Sequence, residues 1–101
     1  MMKEEENKAG NAALTYSFDR VLAITGVDRT TIIEYCETGL LPVGADQVET
    51  ADFDDQFINL IRRVETLRSV HGINQAGIQM ILDLTDEVER LRQELKFRLD
   101  Q

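Results

Sequence analysis

Phe18-Asp19-Arg20-Val21-Leu22-Ala23-Ile24-Thr25-Gly26-Val27-Asp28-Arg29-Thr30-Thr31-Ile32-Ile33-Glu34-Tyr35-Cys36-Glu37-Thr38-Gly39 is the stretch that decides the fold. Ser17 precedes it, and a serine hydroxyl can accept a free N–H at a helix start, which predicts a helix over Phe18 to Thr25. Val21, Leu22 and Ile24 would face the core. Gly26 stands where that helix should stop. Asp28 is the next capping candidate and opens a second helix, Arg29 to Glu37, with Ile32, Ile33 and Cys36 as its apolar stripe. Gly39 ends it. Two short helices joined by a tight glycine-containing turn form a helix-turn-helix pattern.

Outward from this pair, Leu14, Tyr16 and Phe18 alternate with polar residues as a short extended entry. On the other side, Leu40 and Leu41 leave the second helix, and Pro42 disfavours a helical conformation at Leu41. Val43 to Thr50 reads as a loop or a small two-stranded wing. Phe53 to Val70 predicts a third helix, because Phe53, Phe57, Leu60, Ile61, Val64 and Leu67 recur at spacings of three and four. Asp52, Asp54 and Asp55 are assigned to its first turn, where the helix dipole favours anions. Arg68 and His71 lie near its end, and Gly72 closes it. Asn74 caps a last helix, Gln75 to about Leu99, with Ile78, Ile81 and Leu82 as its early stripe. Leu84, Val88, Leu91 and Leu95 then follow as a heptad-like seam. That helix outlasts any core so short a chain can supply, so its far end is expected to pair with a second copy as a homodimer.

The bulk numbers narrow the function. The 101 residues suit one domain with one modest core. The net charge is −8, a field that repels phosphate backbones and favours a basic partner. One cysteine, Cys36, makes no internal disulfide; on an apolar helix face it reads as a buried, inert thiol. Residues 1–13 carry Glu4, Glu5 and Glu6 but no apolar core of a signal peptide, and they read as a disordered acidic tail. The apolar runs are too short to span a bilayer. A cytoplasmic location is the expectation.

Catalytic machinery is not expected. The one histidine, His71, sits at a helix end as a cap, and one Cys with one distant His cannot make a tetrahedral metal set. No glycine-rich phosphate loop is present, and no cofactor is expected. That leaves binding. A DNA-reading helix presents Arg, Lys, Asn or Gln to base edges and phosphates. Here Asp28 to Gly39 offers one cation, Arg29, against Asp28, Glu34 and Glu37. The following loop, Pro42 to Gln56, has no Lys or Arg and carries Asp46, Glu49, Asp52, Asp54 and Asp55. Charge therefore argues against DNA.

The order of elements from Tyr16 to Leu99 resembles the MerR-like winged helix-turn-helix group. Thr25-Gly26-Val27 matches that group's first turn, and Tyr35 with Glu37 its tyrosine–glutamate element. Gly39-Leu40-Leu41-Pro42 matches its helix exit. Leu67-Arg68-Ser69-Val70-His71-Gly72-Ile73 matches its junction before the next helix, where Ile78, Ile81 and Leu82 also fit. MerR regulators keep basic residues in recognition helix and wing, and this sequence departs from that at both places, with Arg29 alone in the helix. Within the group, the chain is most similar to the CbpM family of chaperone modulators. Phe53-Asp54-Asp55 matches that family's aromatic-Asp-Asp element. Gly77-Ile78, Leu84 and the acidic pair Asp86-Glu87 match its last helix.

The resemblance implies an all-α, MerR-like winged helix-turn-helix spanning residues 14–101, with a long amphipathic dimerising helix over 75–99. It implies a protein that binds the J-domain of a CbpA-type co-chaperone and inhibits both its activity and its stimulation of DnaK. Asp52, Asp54 and Asp55 would then lead in meeting the basic J-domain helix, with Asp86 and Glu87 second. Leu84, Val88, Leu91 and Leu95 would form the dimer. The alternative is a MerR-like transcriptional regulator, in which Arg29, Thr30 and Thr31 open the recognition helix.

Overall fold

The computed structural model describes residues 14–100. The reading of residues 1–13 as a disordered tail lies outside the described residues. The chain divides into two compact units, one ending at Val64 and the other beginning at Glu65.

In the first unit, strand β1 (Tyr16–Ser17) leads directly into helix α1 (Phe18–Thr25). Ser17 caps it as expected, its Oγ accepting from the Arg20 N–H at 3.2 Å. Gly26 ends α1 at φ 72°, donating its N–H to the Leu22 carbonyl. A side chain bearing Cβ would be strained at that left-handed angle, so the turn needs glycine. Helix α2 (Arg29–Glu37) follows after three residues. Asp28 occupies the N-cap position in extended conformation, but its side chain makes no capping bond. At the other end, the Leu40 and Leu41 N–H groups both donate to the Tyr35 carbonyl, at 2.9 and 3.3 Å. Those bonds and Pro42 turn the chain out of α2. The helix-turn-helix is present with the limits the sequence implied.

Of the two readings of Val43–Thr50 the loop holds and the two-stranded wing does not, and the all-α reading changes. Gln47 and Val48 both donate to the Gly44 carbonyl at 3.0 Å, and Val48–Thr50 forms a single 3-10 turn that buries Val48. Among the described residues the one extended pairing lies elsewhere: β1 runs antiparallel to β2 (Asp52–Phe53), with Tyr16 opposite Phe53 and Ser17 opposite Asp52. The fold is mostly helical with this two-stranded sheet added. Helix α3 (Asp55–Glu65) starts two residues later than expected. Asp54 caps it, because both its carbonyl and its Oδ1 accept from the Phe57 N–H, at 3.2 and 3.1 Å. Of the three carboxylates assigned to the first turn, only Asp55 is helical. Asp52 lies in β2 and Asp54 at the cap. Phe53, freed from the helix, stacks on Phe57 with ring centroids 4.1 Å apart.

The buried side chains of this unit come from every element except β1: Phe18 and Val21 from α1, Ile32, Tyr35 and Cys36 from α2, Leu40 and Leu41 from the exit, Val48 from the 3-10 turn and Phe53 from β2. Phe57, Ile58, Ile61 and Val64 come from α3. Leu22, Ile24, Ile33 and Leu60 are only half-buried.

The second unit opens on a π turn, Thr66–Val70, where the sequence pattern implied continuous α-helix. The His71 N–H donates to the Thr66 carbonyl at 3.2 Å, so the cap is made by backbone. Val70 is exposed there. Helix α4 (Gln75–Leu99) begins at Asn74, whose Oδ1 accepts from the Gly77 N–H at 2.8 Å. Ile78 and Leu82 are buried, and the helix is exposed throughout beyond Thr85.

Two expectations follow. Ile61 is fully buried, so Ile61→Ala should cost about 2–5 kcal/mol in a denaturant melt, from lost apolar transfer plus the cavity left behind. Asn74→Ala should cost about 1 kcal/mol, since one N–H at the start of α4 loses its acceptor.

Candidate functional site

The first unit carries an acidic edge where β2 passes into α3. Side chains alternate across a strand. Phe53 therefore turns inward and is buried, while Asp52, opposite Ser17, is exposed. Asp54 and Asp55 are exposed as well. The structure thus brings Asp52, Asp54 and Asp55 to one short edge, each with a different local role. Asp52 stands on the strand. Asp54 holds the first turn of α3. Asp55 accepts a 2.8 Å hydrogen bond from the Tyr16 hydroxyl, across 39 positions of sequence. That bond, and then the Asp55 charge, push the Tyr16 phenol above its ordinary value. Tyr16 was not among the expected site residues, and its spacing from Asp55 offered no local signal.

A second feature concerns the helix that would read DNA. Arg29 is the one cation of α2, and it is spoken for. Its Nη1 meets Glu49 Oε2 at 2.7 Å, its Nη2 meets Asp19 Oδ1 at 2.8 Å, and its guanidinium lies over the Phe18 ring at 5.1 Å. The Glu49 and Asp19 hydrogen bonds raise the Arg29 pKa. Arg29 joins α1, α2 and the 3-10 turn on the surface of the unit. A phosphate approaching it would compete with two carboxylates already paired. The other residues of the recognition-helix start, Thr30 and Thr31, are neutral.

The remaining expected residues lie in the second unit, on α4. Asp86 is exposed. Glu87 accepts two hydrogen bonds from Arg90, and these hold its carboxyl below the ordinary range. Arg90 also reaches Glu94 at 3.7 Å. Leu84, Val88, Leu91 and Leu95 are all exposed.

Cys36 is buried, and burial, then the neighbouring Glu37 charge, push its thiol up, away from the reactive thiolate. Among the described residues no group of three or more His, Cys, Asp or Glu is placed to hold a metal ion, and no helix is long and apolar enough to cross a membrane.

The Tyr16–Asp55 bond is checked by titration. Tyr16 should ionise above the ordinary phenol value of about 10, followed by its ring resonances in NMR. In Asp55→Asn the midpoint should fall back toward that value. Because the folded pKa is the raised one, the stabilisation it carries is present below the unfolded value and is lost as pH climbs through the folded midpoint.

Comparison with known proteins agrees with this architecture. The model of the MerR HTH family regulatory proteins matches residues 16–99. The chaperone modulatory protein CbpM of Citrobacter koseri is 29% identical over 84 residues, which cover 83% of this chain and 83% of that protein. No solved structure matches. Neither matching description names an enzyme. The described fold and the family match over 84 of the 101 residues place this chain in the MerR helix-turn-helix family, as a CbpM-like member.

Proposed function

We propose that this protein is a chaperone modulator that binds the J-domain of a CbpA-type co-chaperone and inhibits its stimulation of DnaK. One observation carries the reading: the helix and loop where a nucleic-acid reader holds free cations carry seven carboxylates against one cation, and that cation, Arg29, is held in an intramolecular fork. The similarity to a protein named as a chaperone modulator supplies the partner class. The mechanism is occlusion. Asp52, Asp54 and Asp55 meet Lys and Arg of the J-domain, covering a basic helix that DnaK otherwise uses. Such charges steer and orient the encounter, while apolar contacts around them set its lifetime. Asp86 and Glu87 take second place, and Glu87 already shares its carboxylate with Arg90. A cytoplasmic location and a homodimer formed through α4 belong to the same reading.

The family match also supports a second reading, a MerR-like transcriptional regulator with Arg29, Thr30 and Thr31 at the start of its recognition helix. The Arg29 fork works against it, since a phosphate contact there must compete with two ion pairs.

Titration calorimetry with a CbpA-type J-domain tests the first reading. Asp54→Asn with Asp55→Asn removes two charges and keeps a capping side chain at position 54, so the fold should stand. Two exposed ion pairs are worth enough that affinity should drop roughly two- to thirtyfold. Added salt should slow association. Unchanged affinity in the double variant would rule out this edge. A gel shift with genomic fragments at low salt should show no complex; a sequence-specific band would move the conclusion to the second reading.

A further inference from the structure

The three carboxylates of the acidic edge are all exposed, but they do not offer the same atoms. An ionised carboxylate accepts hydrogen bonds through both of its oxygens. Asp55 Oδ1 already accepts from the Tyr16 hydroxyl at 2.8 Å. Asp54 Oδ1 already accepts from the Phe57 N–H at 3.1 Å. The phenol is set beside Asp55 by the pairing of Tyr16 with Phe53, and the amide belongs to the first turn of α3. Asp54 and Asp55 therefore each keep one oxygen, Oδ2, that bears no bond among the described residues. Asp52 has no such donor among them and keeps both of its oxygens open.

Lysine and arginine ask different things of a carboxylate. An ammonium is a compact charge with rotatable donors, and one oxygen serves it. A guanidinium is a rigid planar fork whose strong mode takes both oxygens at once. Where a carboxylate of this molecule has both oxygens open, the fork does take both: Arg90 donates from Nε to Glu87 Oε1 and from Nη2 to Glu87 Oε2. At Asp54 or Asp55 a fork must share Oδ1 with a donor already in place, whereas an ammonium docks on Oδ2 and shares nothing. Nor does one guanidinium bridge the two residues as Arg29 bridges Asp19 and Glu49. Those two come from different elements, while Asp54 and Asp55 are consecutive at a helix start and point about 100° apart. Arg20 lies near enough for its charge to act on the Tyr16 phenol, and it repels both kinds of incoming cation alike.

We propose that Tyr16 is a specificity-determining residue of the acidic edge: its hydroxyl on Asp55, like the Phe57 amide on Asp54, makes the edge select lysine side chains of a basic helix over arginine. The inference rests on the occlusion reading above and adds the side-chain chemistry that the edge selects. Asp52, with both oxygens open, is the member of the edge that takes either.

Calorimetry with two forms of a CbpA-type J-domain reads the preference. One form keeps the lysines of its basic helix. In the other every lysine of that helix is replaced by arginine, and circular dichroism checks that it is folded. The unaltered chain should bind the arginine form severalfold more weakly. Tyr16→Phe keeps the ring and its place opposite Phe53 while removing the hydroxyl. It should tighten binding of the arginine form and leave the lysine form within about twofold. In an Asp55→Asn background the same substitution should change neither affinity, because its effect passes through that carboxylate. A merely structural role for the phenol would instead weaken both forms together, in either background. Equal binding of the two forms by the unaltered chain, or a gap that Tyr16→Phe leaves unchanged, overturns the inference while the occlusion reading stands. Failure of that reading looks different: the Asp54→Asn, Asp55→Asn double variant then binds both forms as the unaltered chain does, and the two fall together.

Discussion

The antiparallel meeting of Tyr16 with Phe53 is the constraint on which the acidic edge depends. It is only two residues long on each side, far below what a free hairpin needs to persist. It holds because its neighbours are buried from both ends. Phe18 leads α1 into the core immediately after β1, and Phe53 stacks on Phe57 at the head of α3. Once the two segments are side by side, the Tyr16 hydroxyl reaches Asp55 and Asp54 is left free to cap. The carboxylates are thus displayed by a scaffold that owes its place to apolar packing.

The same scaffold explains how a helix-turn-helix can carry so much negative charge. Turn and core ask for glycine at positions 26 and 39 and apolar residues on the inner faces, and they are indifferent to the sign of what lies outside. Recognition of nucleic acid, by contrast, is a property of those outer residues. In this chain the outer residues of α2 and the following loop include seven carboxylates and one cation, and Asp19 with Glu49 occupies that arginine. Architecture and partner are separable properties here, which is why fold alone settles neither reading.

The parts of the fold legible in the sequence are those governed by local rules. Ser17, Gly26 and Asn74 act on backbone groups within a few residues, and the helices they bound stand where their spacing implied. Asp28 shows the limit: residue type and backbone angle suit a cap, yet the carboxylate makes no such bond. Where the reading slipped, a long-range contact intervened. Phe53 fits a helical stripe by spacing, but pairing with Tyr16 draws it into a strand and leaves Asp54 to start the helix. No pattern within Val43–Thr50 reveals that its polar run closes on the Gly44 carbonyl as a turn. At the acidic edge the carboxylates themselves were evident from composition and position. The Tyr16 and Arg29 partners were not, since each joins residues ten or more apart through the tertiary fold.

Asp54 has a duty beyond charge. Its carboxylate shares the Phe57 amide with its own backbone carbonyl, so that amide has two acceptors at nearly equal distance. A cation that pulled the carboxylate outward would leave the carbonyl behind as the remaining acceptor, so the first turn of α3 would keep one of the two bonds. Were the edge occupied as proposed, the Phe57 amide proton would serve as a gauge of it, its exchange with deuterated solvent quickening as the side chain is drawn away.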